Sequence, residues 1–201
     1  MLCFHGRPGS ADVRRVVVLP AAYNPPTIAH FAMAERLAKD ADEVLFLLPE
    51  QMPHKQFEDA SHEERLHMLA EIAQGDCYRV CSAADGLFVN IASACRSCYP
   101  EAEIAIACGR DAAERVLAWD YADPSTVETL FALAELWVFA RQGSWNPPGQ
   151  WKHRVKTLPF PDDLQQVSAT EVRERIAAGQ AWQHLVPSAI HALVERIYAS
   201  R

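Results

Sequence analysis

The sequence predicts an α/β fold, a parallel sheet with helices packed on both faces. Strand-like and helix-like segments alternate from residue 15 to the tail, the order expected when crossover helices join parallel strands. The run Val44-Leu45-Phe46-Leu47-Leu48 is apolar without a break, as in a strand covered on both faces. Three turns, at 24–30, 49–58 and 109–111, each follow a strand-like run. In such a sheet all three lie at the rim where ligands bind.

The first strand, 15–19, rests on Val16-Val17-Val18, and Asn24-Pro25-Pro26 is a turn that neither neighbouring element can continue. The helix after it, 27–39, places His30 one turn in, beside Thr27 on one face. A second strand covers 43–48. The helix at 61–74 opens on the capping box Ser61-x-x-Glu64 and carries the apolar stripe Leu66, Leu69, Ala70 and Ala73. Strands at 77–82 and 102–108 flank a helix at 88–95. Helices at 111–117 and 125–134, the latter opening on Ser125-x-x-Glu128, precede strands at 136–140 and 153–158. The tail adds helices at 170–178 and 187–199, the second with Pro187 at its first position. The stretch 142–151, rich in Gly, Pro and Trp, reads as a long surface loop placed like a lid.

Half of the 201 residues are apolar and 22% are charged, ordinary values for a globular chain. One domain over 15–201 is expected, preceded by a flexible N-terminal extension at 1–14. The formal net charge of −7 excludes a general nucleic-acid or anionic-membrane binder, which needs a basic face. An anionic ligand must therefore be met by a local cluster, for which Lys55, Arg110, Arg141, Arg173 and His30 are the candidates. No apolar run approaches the ~20 residues of a membrane span, and residues 1–15 hold no signal-peptide core, so a cytoplasmic location is expected. Cys77, Cys81, Cys95 and Cys98 have zinc-like spacing. A zinc-stabilised interaction module would need them to bind metal. They fall on a strand and a helix rather than in glycine-rich knuckles, so free cysteines and no metal site are expected.

Chemistry concentrates in two segments. Asn24 to His30 ends a strand and opens a helix, whose N-terminal N–H groups and dipole attract phosphate. Val167-Ser168-Ala169-Thr170-Glu171-Val172-Arg173 also opens a helix, offering two hydroxyls and a guanidinium with fork geometry. Alone, Ser168-x-x-Glu171 reads as a capping box.

Together the two segments resemble the motifs of the nucleotidylyltransferase superfamily. Tyr23, Asn24, Pro25, Thr27 and His30 match its first motif, although Pro20-Ala21 replaces two glycines and Ala29 a third. Ser168, Thr170 and Arg173 match its Ser-x-Thr-x-x-Arg signature. Further segments resemble the bacterial nicotinate-mononucleotide adenylyltransferases: Met52-Pro53-His54-Lys55, Gly109-Arg110-Asp111, Leu117 to Tyr121 with Trp119, and Leu185-Val186-Pro187. Arg65, Leu66 and Met68 lie on a helix placed as in that family.

The resemblance covers residues 15–190 and implies a Rossmann-like nucleotidylyltransferase fold. It further implies a reaction in which ATP and nicotinate mononucleotide give deamido-NAD and pyrophosphate, with Mg²⁺ as cofactor. By the same likeness Thr27, His30 and Arg173 are catalytic, and Ala21, Tyr23, Asn24, Gly109, Asp111, Ser168 and Thr170 bind ATP. Lys55, Trp119, Arg141 and Asn90 would hold the mononucleotide. Gly86-Leu87-Phe88-Val89-Asn90 stands where the family often has hydroxyls near the pyridine carboxylate, which leaves acid and amide both open. Nicotinamide mononucleotide or phosphopantetheine as acceptor, and a catalytically degenerate nucleotide-binding regulator, are the alternatives. Homo-oligomerisation is left open.

Overall fold

The computed structural model describes residues 1–10, 12–51, 59–118, 125–140 and 145–199. Its strands are β1 (Cys3–His5), β2 (Arg15–Pro20), β3 (Glu43–Gln51), β4 (Tyr78–Asp85), β5 (Glu103–Gly109), β6 (Glu135–Ala140) and β7 (Val155–Pro159). The helices are α1 (Ile28–Leu37), α2 (His62–Ile72), α3 (Phe88–Cys98), α4 (Arg110–Ala118), α5 (Thr126–Leu133), α6 (Ala169–Ala177) and α7 (His191–Val194).

The strands form one sheet in the order β1-β4-β3-β2-β5-β6-β7. All neighbours are parallel except β1, which runs antiparallel to β4. Two apolar layers cover the sheet. Val17, Leu19, Phe46 and Leu48 face α1, α2, α6 and α7, whereas Val16, Val18, Leu45 and Leu47 face α3, α4 and α5. Alternate residues of β2 and β3 thus feed opposite cores, which is why both strands read as unbroken apolar runs. Chain order reverses at β2, with β3 on one side and β5 on the other. A crevice therefore opens beyond the carboxyl ends of β2 and β5.

Three expectations need correction. Residues 1–14 are not wholly a loose extension: β1 pairs with β4, Leu2 is buried, and Phe4 packs edge-on against Tyr99 with ring centroids 6.4 Å apart. Three residues are too few to show a period, and their order comes from a partner more than seventy residues away. Ser10 N–H and the Tyr99 hydroxyl both donate to the buried Glu43 carboxylate, which also pairs with Arg79 at 2.7 Å. The buried face of α2 is Arg65, Met68, Leu69 and Ile72, and Ala70 is exposed, so the expected stripe is rotated. Finally, the tail is not one α-helix. A 3-10 turn at Ser188–Ile190 leads into α7 and then a π-helical turn at Glu195–Ala199.

In the stretch read as a lid, residues 141–144 lie outside the described residues. In the described part Trp145 and Trp151 pack against the core, the ring of Trp151 4.7 Å from that of Phe131, while Asn146, Pro148, Gly149 and Gln150 are exposed. Among the described residues, no helix is long and apolar enough to cross a membrane. All six cysteines are free, and burial pushes the Cys95 and Cys108 thiols up to about 12. Cys81, Cys95 and Cys108 are buried, inert packing groups at neutral pH, whereas Cys3 and Cys98 are exposed.

Candidate active site

A cavity of about 610 Å³ fills the crevice. Its walls are the end of β2 with the turn Ala21–Asn24, His30 and Met33 of α1, the end of β5 with the start of α4, and Val167–Thr170 with Arg173 of α6. The two motifs, some 140 residues apart in sequence, meet across it. Arg173 makes the junction: Nη1 donates to the Asn24 carbonyl at 2.6 Å, and Nη2 lies 3.5 Å from the Thr170 hydroxyl. Its Nε pairs with Asp59 at 3.1 Å, so a carboxylate holds the cation expected to meet phosphate.

The turn is held in a demanding conformation. Tyr23 has φ +48°, a left-handed region costing a residue with a side chain roughly 1–2 kcal/mol. Its ring is buried against His30 and Phe46, and its hydroxyl donates to the Leu19 carbonyl at 2.5 Å. Burial raises the Tyr23 pKa well above its ordinary value. The phenol is thus an anchor, which leaves the Tyr23 backbone to face the cavity.

Thr27 caps α1. Its backbone N–H donates to His30 Nδ1 at 3.1 Å, and its hydroxyl lies 2.8 Å from the same nitrogen. A peptide N–H can only donate, so Nδ1 is an acceptor and the neutral ring carries its proton on Nε2. An Nε2–H can donate to a phosphate oxygen with no protonation step. At the other motif the Ser168 hydroxyl accepts from the Glu171 N–H at 3.1 Å, so the cap and the cavity wall are one residue.

Pro20 and Ala21 line the cavity, but the Ala29 methyl is fully buried in the core beneath α1. That departure from the first motif therefore adds nothing to the cavity. A side chain at Gly109 would project into open space, so the missing Cβ there leaves room for a ligand. Asp111 also lines the cavity. Lys55, Trp119 and Arg141 lie outside the described residues. Asn90 is not on the cavity wall: its amide donates to Asp85 at 2.9 Å at the start of α3.

Two cavity residues escaped the sequence reading, and a third was named there only as a candidate anion contact. Arg115 follows Asp111 by one helical turn, a spacing that places both on one face. Asp59 follows a loop with no periodicity and left no signal. Arg110 lines the wall but is engaged by Glu114 at 2.8 Å. The cavity thus collects three guanidinium groups in a chain of net charge −7. Against them stand the Asp59 and Asp111 carboxylates on the same wall, so the lining keeps a small formal positive excess, the sign an anionic ligand requires.

A cavity at the switch point of a doubly covered sheet, with His30 of the first motif and Ser168, Thr170 and Arg173 of the second on its wall and Thr27 buried behind His30, defines a protein of the nucleotidyl-transfer class. The comparisons agree. Residues 18–175 match the cytidylyltransferase-like family model, and the chain belongs to that family. A probable nicotinate-nucleotide adenylyltransferase of Anaeromyxobacter dehalogenans is 30% identical over 193 residues, covering 90% of this chain and 94% of the relative. Another, from Salinibacter ruber, is 26% identical over 186 residues, covering 87% and 91%. The fold matches that of a Plasmodium falciparum nicotinic acid mononucleotide adenylyltransferase complexed with NaAD. The TM-score is 0.71 at 12% identity, over 91% of this chain and 95% of that one. A second solved structure, a putative nicotinate-nucleotide adenylyltransferase from Vibrio parahaemolyticus, gives a TM-score of 0.60 over 94% of this chain and 97% of that one, at 14% identity.

Proposed function

We propose that this chain is an adenylyltransferase that joins ATP to nicotinate mononucleotide, giving deamido-NAD and pyrophosphate. The observation that carries the reading is the meeting of the two motifs around one cationic cavity, with Arg173 bonded to the Asn24 carbonyl. The names of the sequence relatives support the choice of acceptor.

The 5′-phosphate of the mononucleotide is already anionic near neutral pH, so no protein nucleophile is needed. It attacks the α-phosphorus of ATP in line, the new P–O bond forms, and the bond to the β-phosphate oxygen breaks to release pyrophosphate. The protein contributes positioning and charge stabilisation. His30 Nε2–H donates at the phosphates as charge accumulates, and Thr27 fixes its tautomer. Ser168, Thr170 and Arg173 hold the β- and γ-phosphates. The Ala21–Asn24 turn faces the triphosphate, Gly109 and Asp111 hold the adenosine side, and Lys55, Trp119 and Arg141 the mononucleotide.

Among the described residues no group of three metal-ligating side chains is arranged to hold a metal. Magnesium would enter bound to ATP and mostly keep its waters. Its chemistry there is neutralisation of triphosphate charge. Six unpaired cysteines suit the reducing cytoplasm in which we place the reaction.

The test is an acceptor panel. Purified protein, ATP and magnesium are incubated with nicotinate mononucleotide, nicotinamide mononucleotide or phosphopantetheine, and the dinucleotide is identified by mass. Deamido-NAD as main product supports the reading. Product with only another acceptor, or with none, overturns it.

A further inference from the structure

We infer that Arg65, with Tyr198, is a positioning residue of this site that clamps the phosphate-facing turn from behind, an inference that rests on the proposed function. Arg65 lies on the buried face of α2, in register with Met68, Leu69 and Ile72, where packing alone calls for an apolar side chain. It is 4% exposed, and burying a guanidinium is costly unless its donors are satisfied. Two of them go to carbonyls: Nε to Ser61 at 3.3 Å in its own helix, and Nη1 to Ala22 at 3.0 Å. Ala22 is a wall residue of the cavity and directly precedes left-handed Tyr23.

Tyr198 approaches the same turn from another element. The π-helical turn Glu195–Ala199 carries its hydroxyl to the Asn24 side chain, donating to Oδ1 at 2.5 Å. The residues on either side of Tyr23 are therefore gripped by α2 and the chain's last helical turn, while Arg173 grips the Asn24 carbonyl from the cavity side. Neither Arg65 nor Tyr198 lies on the cavity wall. Each acts through the turn, fixing where its N–H groups point. Misplacement of a binding group by about 1 Å can cost on the order of 100-fold in rate, so such a clamp has leverage on ATP without touching it.

The experiment compares wild type with Arg65→Met, Arg65→Lys and Tyr198→Phe. It reads ATP affinity by calorimetry without acceptor, KM and kcat for pyrophosphate release, and thermal unfolding. Met fills the slot without donors, and a folded Arg65→Met protein is expected to bind ATP about tenfold or more weakly. Lys, able to reach one carbonyl, recovers part of that loss. Phe, lacking only the Asn24 contact, is expected to raise the KM for ATP roughly threefold or more, with a melting temperature lower by roughly 2–4 °C for the buried acceptor left unpaired. A merely structural Arg65 would shift the melting temperature and leave ATP affinity within about twofold, which overturns the clamp. If Arg65→Met does not fold, unchanged ATP affinity in Tyr198→Phe overturns it instead. Wild type that binds ATP yet releases no pyrophosphate sinks the proposed reaction alone, and the clamp is still read from binding.

Discussion

Replacing His30 separates two roles that one ring performs. Nδ1 accepts the Thr27 N–H at the helix start, and Nε2 carries the proton offered to phosphate. His30→Ala removes both. Losing the acceptor for a capping N–H costs about 1 kcal/mol, a fall in melting temperature of roughly 2–4 °C for a chain of this length. Losing the phosphate donor costs about 2.7–4 kcal/mol of barrier, or 10²–10³ in kcat. In His30→Asn, Oδ1 stands where Nδ1 stood, so the cap is kept and only Nε2–H is deleted. The expected outcome is a melting temperature near wild type with kcat for pyrophosphate release still lowered about 100-fold. Thermal unfolding by circular dichroism and a coupled pyrophosphate assay read the two effects. Activity of His30→Asn within about threefold of wild type would refute the assignment of the donor.

Three further outcomes follow from the geometry. Asp59→Asn releases the Nε of Arg173 and removes a negative charge from the wall. Calorimetric ATP affinity should rise, up to about fivefold for a partly exposed pair, and a fall would give Asp59 a direct role in binding. Arg173→Lys cannot serve the Asn24 carbonyl, Thr170 and a phosphate together, so the KM for ATP should rise by about tenfold or more. An unchanged KM would remove Arg173 from the phosphate site. His62, whose Nδ1 is buried without a hydrogen-bond partner among the described residues, has its pKa lowered by burial and by Arg65 from the ordinary 6.5. The unfolded chain then binds more protons as pH falls through 6.5, so stability drops on acidification through the window between 6.5 and the lowered folded value. His62→Gln should flatten that part of the curve in thermal melts from pH 7.5 to 5, and an unaltered slope would assign it to other groups.

The parts of this molecule visible in the sequence are those written in local periodicity or in contiguous motifs. Val16–Val18 and Val44–Leu48 announce buried parallel strands because both faces are covered. Thr27 and His30, and Ser168 and Arg173, are readable because helical spacing forces their neighbourhood. β1 was not readable, since Cys3–His5 gains order only from the edge of β4. The rotated face of α2 was misread because Arg65 occupies a core position, and a cation there gives no apolar signal. Asp59 and Tyr198 reach the site through long-range contacts to Arg173 and Asn24, which no window of sequence contains. Asn90 has a chemistry that fits a pyridine ligand, but Asp85 five residues earlier takes its amide first.

The central claim is that the triphosphate of ATP lies between the Ala21–Asn24 turn and the start of α6. A crystal structure with a non-hydrolysable ATP analogue tests it most directly. The account predicts β- and γ-phosphate oxygens within about 3 Å of the Ser168 and Thr170 hydroxyls and the Arg173 guanidinium, with His30 Nε2 on a phosphate oxygen. An analogue bound elsewhere, or a triphosphate out of reach of both His30 and Arg173, would contradict it.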